Sequence, residues 1–150
     1  MWEIKEFSGG ILAQELSAIC LQTKTAAPWA AQEFESEAKQ KSSKVFILIP
    51  KENATKIPIG FCCLRFVLDT AEITNFAISP SMQRRHLGTK LFAYALNFLK
   101  TKGVKEVTLE VSSANKNAQE FYKKFKFTCV NIRKKFYNME EDALLLKVKL

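Results

Sequence analysis

Apolar and polar positions along the chain change period several times, and each change marks an element. Trp2 to Phe7 alternates with period two and predicts a strand; after Gly9-Gly10, residues Ile11, Leu12, Leu16, Ile19 and Cys20 fall at helical spacing. Ala27-Pro28-Trp29 interrupts the chain, and Ala30 to Lys39 reads as a short amphipathic helix around Phe34. Val45–Ile49, Ile57–Leu68 and Glu72–Ile78 are apolar strands separated by a polar stretch (Lys51–Lys56) and an Asp69-Thr70 turn, which predicts an antiparallel meander. Leu87 to Lys102 is the clearest helix, with Leu87, Leu91, Ala95, Phe98 and Leu99 on one side and Gly103 as its stop signal. Lys105–Val111 is a strand. Asn115 or Asn117 caps a further helix whose Ala118, Phe121, Tyr122 and Phe125 fall at i, i+3, i+4 and i+7. Thr128–Arg133 and Ala143–Leu150 close the chain as strands.

The resulting order, β-α-α-β-β-β-α-β-α-β-β, implies an α/β layer structure with a central sheet of about seven strands and about four helices. A length of 150 residues suits a single domain spanning 1–150. Composition adds little: 47% hydrophobic and 25% charged residues are ordinary for a globular protein with a core. No apolar run reaches the length of a membrane span and Met1–Glu6 lacks a signal-peptide layout, so a cytoplasmic protein with no membrane partner is expected.

Charge and the scarce residue types narrow the chemistry. The net charge of +8 favours anionic partners, but the excess is mostly scattered lysine, so direct nucleic-acid binding is not expected. Cys20, Cys62, Cys63 and Cys129 form no C-x-x-C pair, and the neighbours Cys62 and Cys63 project to opposite faces of a strand, so packed, reduced thiols and no metal are expected. His86 is the only histidine, which leaves little room for a histidine-based hydrolase.

Within Glu72–Ile78 the alternation slips: Ala71 and Ile73 share one phase, Phe76 and Ile78 the other. A β-bulge near Thr74 and Asn75 accounts for this and leaves backbone groups for a ligand; a strand buried on both faces accounts for it equally. Gln83-Arg84-Arg85-His86-Leu87-Gly88-Thr89 then runs into the strongest helix, and unpaired N–H groups beside two arginines suit a pyrophosphate. Glu110 lies on the strand face opposite Val107, Leu109 and Val111, as a solvated residue would; Tyr122 fits a core aromatic and Asn115 an N-cap.

On these residues the chain resembles the GNAT acetyltransferases, whose cofactor motif Q/R-x-x-G-x-G/A matches Gln83 to Gly88 with His86 in place of the first glycine. Leu109-Glu110-Val111-Ser112-Ser113-Ala114-Asn115 followed by Ala118 and Tyr122 is similar to the bacterial ribosomal-protein-alanine N-acetyltransferases, the RimI group. Ala27-Pro28-Trp29 with Phe34, Ile132-Arg133 to Phe136-Tyr137, and Glu141-Asp142-Ala143 agree with it. Lys126, Phe136 and Asn138 depart from the group's glycine, tyrosine and proline.

The resemblance implies acetyl-CoA as donor, with main-chain groups of Phe76, Ala77 and Ile78 on its pantetheine arm. It places the turn of Arg84, Arg85, His86, Leu87, Gly88 and Thr89 on the pyrophosphate and Asn115 at the cofactor. A backbone cradle tolerates His86 provided φ stays negative there. The resemblance further implies Glu110 as base, Tyr122 as acid, Trp29 and Tyr137 beside the acceptor, and an alanine-initiated ribosomal protein N-terminus as acceptor. Deprotonating an α-amine of pKa ~8 at pH 7 costs roughly 1.4 kcal/mol against roughly 4.6 for lysine at ~10.4, which favours the α-amine for a carboxylate base. Acetylation of lysine side chains or small amines is the alternative activity. A non-catalytic basic module bound to ribosome or RNA is a third reading, resting on charge alone.

Overall fold

The computed structural model describes residues 1–23, 25–52, 56–137 and 140–150, with nothing said of the side chains at 136 and 137. Its elements are β1 (Trp2–Glu6), α1 (Leu12–Thr23), α2 (Ala31–Lys39), β2 (Ser43–Pro50), β3 (Gly60–Val67) and β4 (Thr70–Ile78). A 3-10 turn (Pro80–Met82) leads to α3 (Leu87–Thr101), β5 (Glu106–Ser112), α4 (Lys116–Lys124), β6 (Thr128–Tyr137) and β7 (Glu141–Lys149). This is the element order the periodicity predicts.

The strands form one seven-stranded sheet in the order β1-β2-β3-β4-β5-β7-β6. Every neighbouring pair is antiparallel except β4 and β5. The predicted meander is β2-β3-β4. Strand β3 starts at Gly60 rather than Ile57: Pro58 has no N–H to give a ladder, and Ile59 makes the last bond outside the strand, donating to the Leu48 carbonyl at 2.9 Å. Strand β6 continues past the predicted Arg133 to Tyr137, through an irregular stretch after which Tyr137 pairs again with Glu141 of β7.

Each sheet face has its own core. On one side α1 and α2 cover Val45, Ile47, Ile49, Phe61, Cys63 and Ala77. On the other, α3 and α4 cover Phe46, Leu48, Cys62, Leu64, Ile73, Ile78, Val107, Leu109 and Val111. Cys62 and Cys63 thus enter opposite cores, as strand alternation requires, and burial raises both thiols well above their usual range. Cys129 departs from the expectation of packed thiols: it lies exposed on edge strand β6.

Helices α3 and α4 end alike. At the end of α3, Val104 donates to Leu99 O (3.1 Å) and Gly103 to Lys100 O (3.1 Å), with Gly103 left-handed at φ 85°. At the end of α4, Phe127 donates to Tyr122 O (3.2 Å) and Lys126 to Lys123 O (2.9 Å), with Lys126 at φ 71°. Lysine therefore occupies a position whose geometry favours glycine.

Candidate active site

Strand β4 carries a bulge, one of the two readings its alternation allows. Cys63 pairs with Asn75 and Leu64 with Ile73, so Thr74 is the extra residue. Beside β5, β4 pairs only through Thr70, Ala71 and Glu72 with Glu106, Val107 and Thr108. Beyond those three pairs the two strands run on without a ladder between them, β4 to Ile78 and β5 to Ser112. A bulge adds right-handed twist to its strand, which turns β4 away from β5 and opens a wedge in the sheet. Backbone groups of Phe76, Ala77 and Ile78 border that wedge, and buried backbone groups demand partners. Gln83 folds back across the turn to donate from Nε2 to the Ile78 carbonyl at 3.0 Å.

The turn after β4 leads from the unpaired end of that strand into α3. Arg84 (φ 62°) and His86 (φ 60°) are both left-handed and flank Arg85. Alternating backbone hand of this kind points successive N–H groups to one side, a concavity suited to anions. The expectation of negative φ at His86 is therefore wrong: this is a position that favours glycine by conformation, and histidine fills it in the left-handed region. Its side chain makes no capping bond to α3, and the first-turn amides of Leu87, Gly88 and Thr89 have no acceptor within the helix. A Cβ at Gly88 would meet Ile78 Cγ1 at 3.4 Å and the Phe76 and Phe121 rings at 3.7 Å, ordinary contact distances, so this glycine is not demanded by packing. Arg84, Arg85, His86 and Thr89 are all exposed.

Helix α4 is fixed at its start by Asn115, whose Oδ1 accepts from the Ala118 amide at 3.1 Å, so Asn115 rather than Asn117 is the cap. Gln119 adds two bonds, donating to the carbonyls of Ser112 (3.1 Å) and Ser113 (3.0 Å), which tie α4 to the end of β5. An aromatic cluster sets the helix's roll. Phe92 meets Phe76, Phe121, Tyr122 and Phe125 with centroids 4.9 to 5.6 Å apart, and Phe76 stacks on Phe121 at 5.5 Å. Tyr122, 9% exposed, is held within this cluster on the α3/α4 side of the sheet.

Glu110 lies on the other side. Burial along β5 alternates, with Val107, Leu109 and Val111 inward toward α3/α4 and Thr108 and Glu110 half-buried on the opposite face. This half of the face is not fully solvated, contrary to the simplest reading of the alternation. Glu110 Oε1 pairs with an Arg133 guanidinium nitrogen at 3.3 Å, reaching across β7 to β6; the Glu110 side chain is 27% exposed. Nearby, Asp142 accepts from the Lys135 amide at 2.8 Å and pairs with Lys134 at 3.6 Å. The Lys135 amide and the Lys134 charge hold its carboxyl below the usual range, and both lysines lie in the irregular stretch of β6 between Arg133 and Tyr137.

Trp29, on the α1–α2 loop, is half-buried edge-on against Phe34 at 5.3 Å, on the same side of the sheet as Glu110. Tyr137 ends β6, with its side chain outside the described residues, as are Asn138 and its contribution to the β6–β7 turn. Among the described residues, no group of three or more His, Cys, Asp and Glu is placed to hold a metal ion, and no helix is long and apolar enough to cross a membrane. Two shallow hollows lie elsewhere: about 170 Å³ between the starts of α1 and α2, and about 250 Å³ beside the paired end of β4 and β5. Arg133, Gln83 and Gln119 join the site by contacts that the pattern of the sequence does not reveal.

The comparisons with known proteins agree with this geometry. Residues 13–127 match the model of the Acetyltransferase (GNAT) family. A Bacillus subtilis (strain 168) protein, provisionally named a ribosomal protein bS18-alanine N-acetyltransferase, is 35% identical over 82% of this chain and 80% of its own length. The crystal structure of the ribosomal-protein-S18-alanine N-acetyltransferase from Escherichia coli superposes with a TM-score of 0.83 at 26% identity, covering 99% of this chain and 94% of that one. Arabidopsis thaliana NAA60, solved in complex with acetyl-CoA, shares the fold with a TM-score of 0.86 at 16% identity, covering 100% and 99%. The wedge between β4 and β5, the amide-lined turn before α3 and the matched family model over most of the chain lead to one assignment: the protein is an acetyltransferase that belongs to the GNAT family.

Proposed function

We propose that residues 1–150 form one N-acetyltransferase domain that moves an acetyl group from acetyl-CoA to the N-terminal α-amine of a protein, an alanine-initiated ribosomal protein in the cytoplasm. What supports this reading is that Glu110 lies on β5 beyond its last pairing with β4, on the α1/α2 side, while Tyr122 is held among aromatic rings on the α3/α4 side of the same sheet. Acetyl-CoA, once bound, supplies an activated acyl group as a thioester. Main-chain groups of Phe76, Ala77 and Ile78 line its arm, and the amides from Arg84 to Thr89 face its pyrophosphate, helped by the two arginines and the α3 N-terminus. Asn115 orders the start of α4 beside the same opening.

The acceptor approaches from the α1/α2 side, between Trp29 and the β6–β7 hairpin that ends at Tyr137. Glu110, directly or through a water, takes the proton that the α-amine must lose before its nitrogen can attack. Arg133 holds that carboxylate in place from β6. The Tyr122 hydroxyl, kept in orientation by Phe92, Phe121 and Phe127, hydrogen-bonds the departing sulfur. The similarity to proteins named for acetylating the alanine of bS18 supports the acceptor class.

Steady-state kinetics on purified variants test the two roles. Glu110→Gln and Tyr122→Phe are expected to lower turnover by about 10² to 10⁴ while the thermal shift given by acetyl-CoA persists. Full activity in both variants moves the chemistry to other residues.

A further inference from the structure

Asn75 stands out in β4 as a carboxamide only 5% exposed, next to the bulged Thr74. A buried amide with donors and acceptors unmet is costly, and Asn75 meets its own in a particular way. Its Oδ1 accepts from the Ala27 amide at 3.1 Å and its Nδ2 donates to the Ala27 carbonyl at 3.1 Å. The side chain thereby imitates a paired strand residue and grips one residue of the α1–α2 loop from both sides. Its Nδ2 also lies 3.8 Å from the buried Cys20 sulfur on α1.

The rest of the loop hangs from that grip. Proline at 28 fixes its own φ, and the Trp29 amide turns back to the same Ala27 carbonyl at 2.8 Å. The Trp29 carbonyl accepts from Ser17 Oγ at 2.8 Å. Trp29 is thus held between Asn75 on the bulged strand and Ser17 on α1. The next three residues after Asn75 are those assigned to the donor.

We propose that Asn75 is a positioning residue that couples the two substrate sites, locking the acceptor-side loop of Ala27–Trp29 to the strand that receives the acetyl donor. This rests on the reading of that side as the acceptor site. Asn75 touches neither reacting group; it sets the distance between them through Ala27 and Trp29.

The test is initial-rate kinetics with acetyl-CoA and an alanine-initiated peptide, together with hydrogen exchange of the Ala27 amide, on wild type, Asn75→Ala and Ser17→Ala. Asn75→Ala is expected to raise KM for the peptide by about 10-fold or more, the scale of losing one or two buried hydrogen bonds, with KM for acetyl-CoA within about 2-fold. Exchange at Ala27 should accelerate by a similar factor. Ser17→Ala, which leaves the buried amide intact and releases only the Trp29 carbonyl, should raise peptide KM in the same direction and keeps the test decisive if Asn75→Ala folds poorly. Both KM values unchanged, or both raised alike, in an active and folded variant overturns the coupling while leaving the acceptor reading standing. Wild-type protein that leaves the peptide unmodified overturns the acceptor reading itself and the proposal with it.

Discussion

Replacing Lys126 by glycine should stabilise this protein. The end of α4 repeats the hydrogen bonding of the end of α3, residue for residue, yet one has Gly103 at the left-handed position and the other Lys126. A side chain bearing Cβ in that conformation costs about 1–2 kcal/mol, while glycine gives back about 0.5–1 kcal/mol through the greater freedom of the unfolded chain. The lysine side chain is exposed, so little contact is lost, and the net gain should be about 0.5–1 kcal/mol. For a chain of this size that raises Tm by about 1–4 °C. Differential scanning calorimetry on wild type, Lys126→Gly and Lys126→Ala measures it, with the alanine variant expected to gain nothing because it keeps the Cβ. His86, left-handed and uncapped at the start of α3, should respond to glycine in the same direction. A Tm lowered by Lys126→Gly, or raised equally by alanine, refutes the argument from backbone conformation.

Other perturbations follow from single contacts. Gly60→Ala would put a Cβ 2.4 Å from Ile78 Cδ1 and 3.0 Å from the Ala77 carbonyl oxygen, so it should cost about 1–3 kcal/mol in urea unfolding; an unchanged midpoint contradicts the close pairing of β3 with β4. Glu37, buried on α2, accepts from Arg65 Nε at 3.1 Å and also pairs with its terminal nitrogen. That bond lowers its carboxyl below its ordinary value near 4.5, against the opposing effect of burial. A lowered folded pKa means stability that is complete above about 4.5 and is lost as pH falls through the folded value. The stability gap between wild type and Glu37→Gln should therefore be widest near neutral pH and shrink below about pH 4; a gap independent of pH refutes it.

The bulge was legible because one extra residue flips the alternation, so Ala71 and Ile73 stood out of phase with Phe76 and Ile78 before any pairing was known. The parting of β4 from β5 was not: periodicity records which side is buried, never which strand lies alongside. The insertion of β7 between β5 and β6 was hidden for the same reason, and with it the Glu110–Arg133 contact across that strand. The backbone hand of His86 leaves no mark on a hydrophobic pattern, which is why a negative φ could be expected there. The role of Asn75 was hidden too, because its partner Ala27 lies 48 residues away and no local rule connects the two.

The central claim, transfer of acetyl to a protein's α-amine, is tested most directly by intact-mass analysis of an alanine-initiated peptide that also contains an internal lysine, incubated with acetyl-CoA and this protein. The account predicts a gain of one acetyl group, mapped by fragmentation to the N-terminal amine and strongly reduced with Glu110→Gln. Acetylation at the lysine alone, or none beside an active control enzyme, contradicts it.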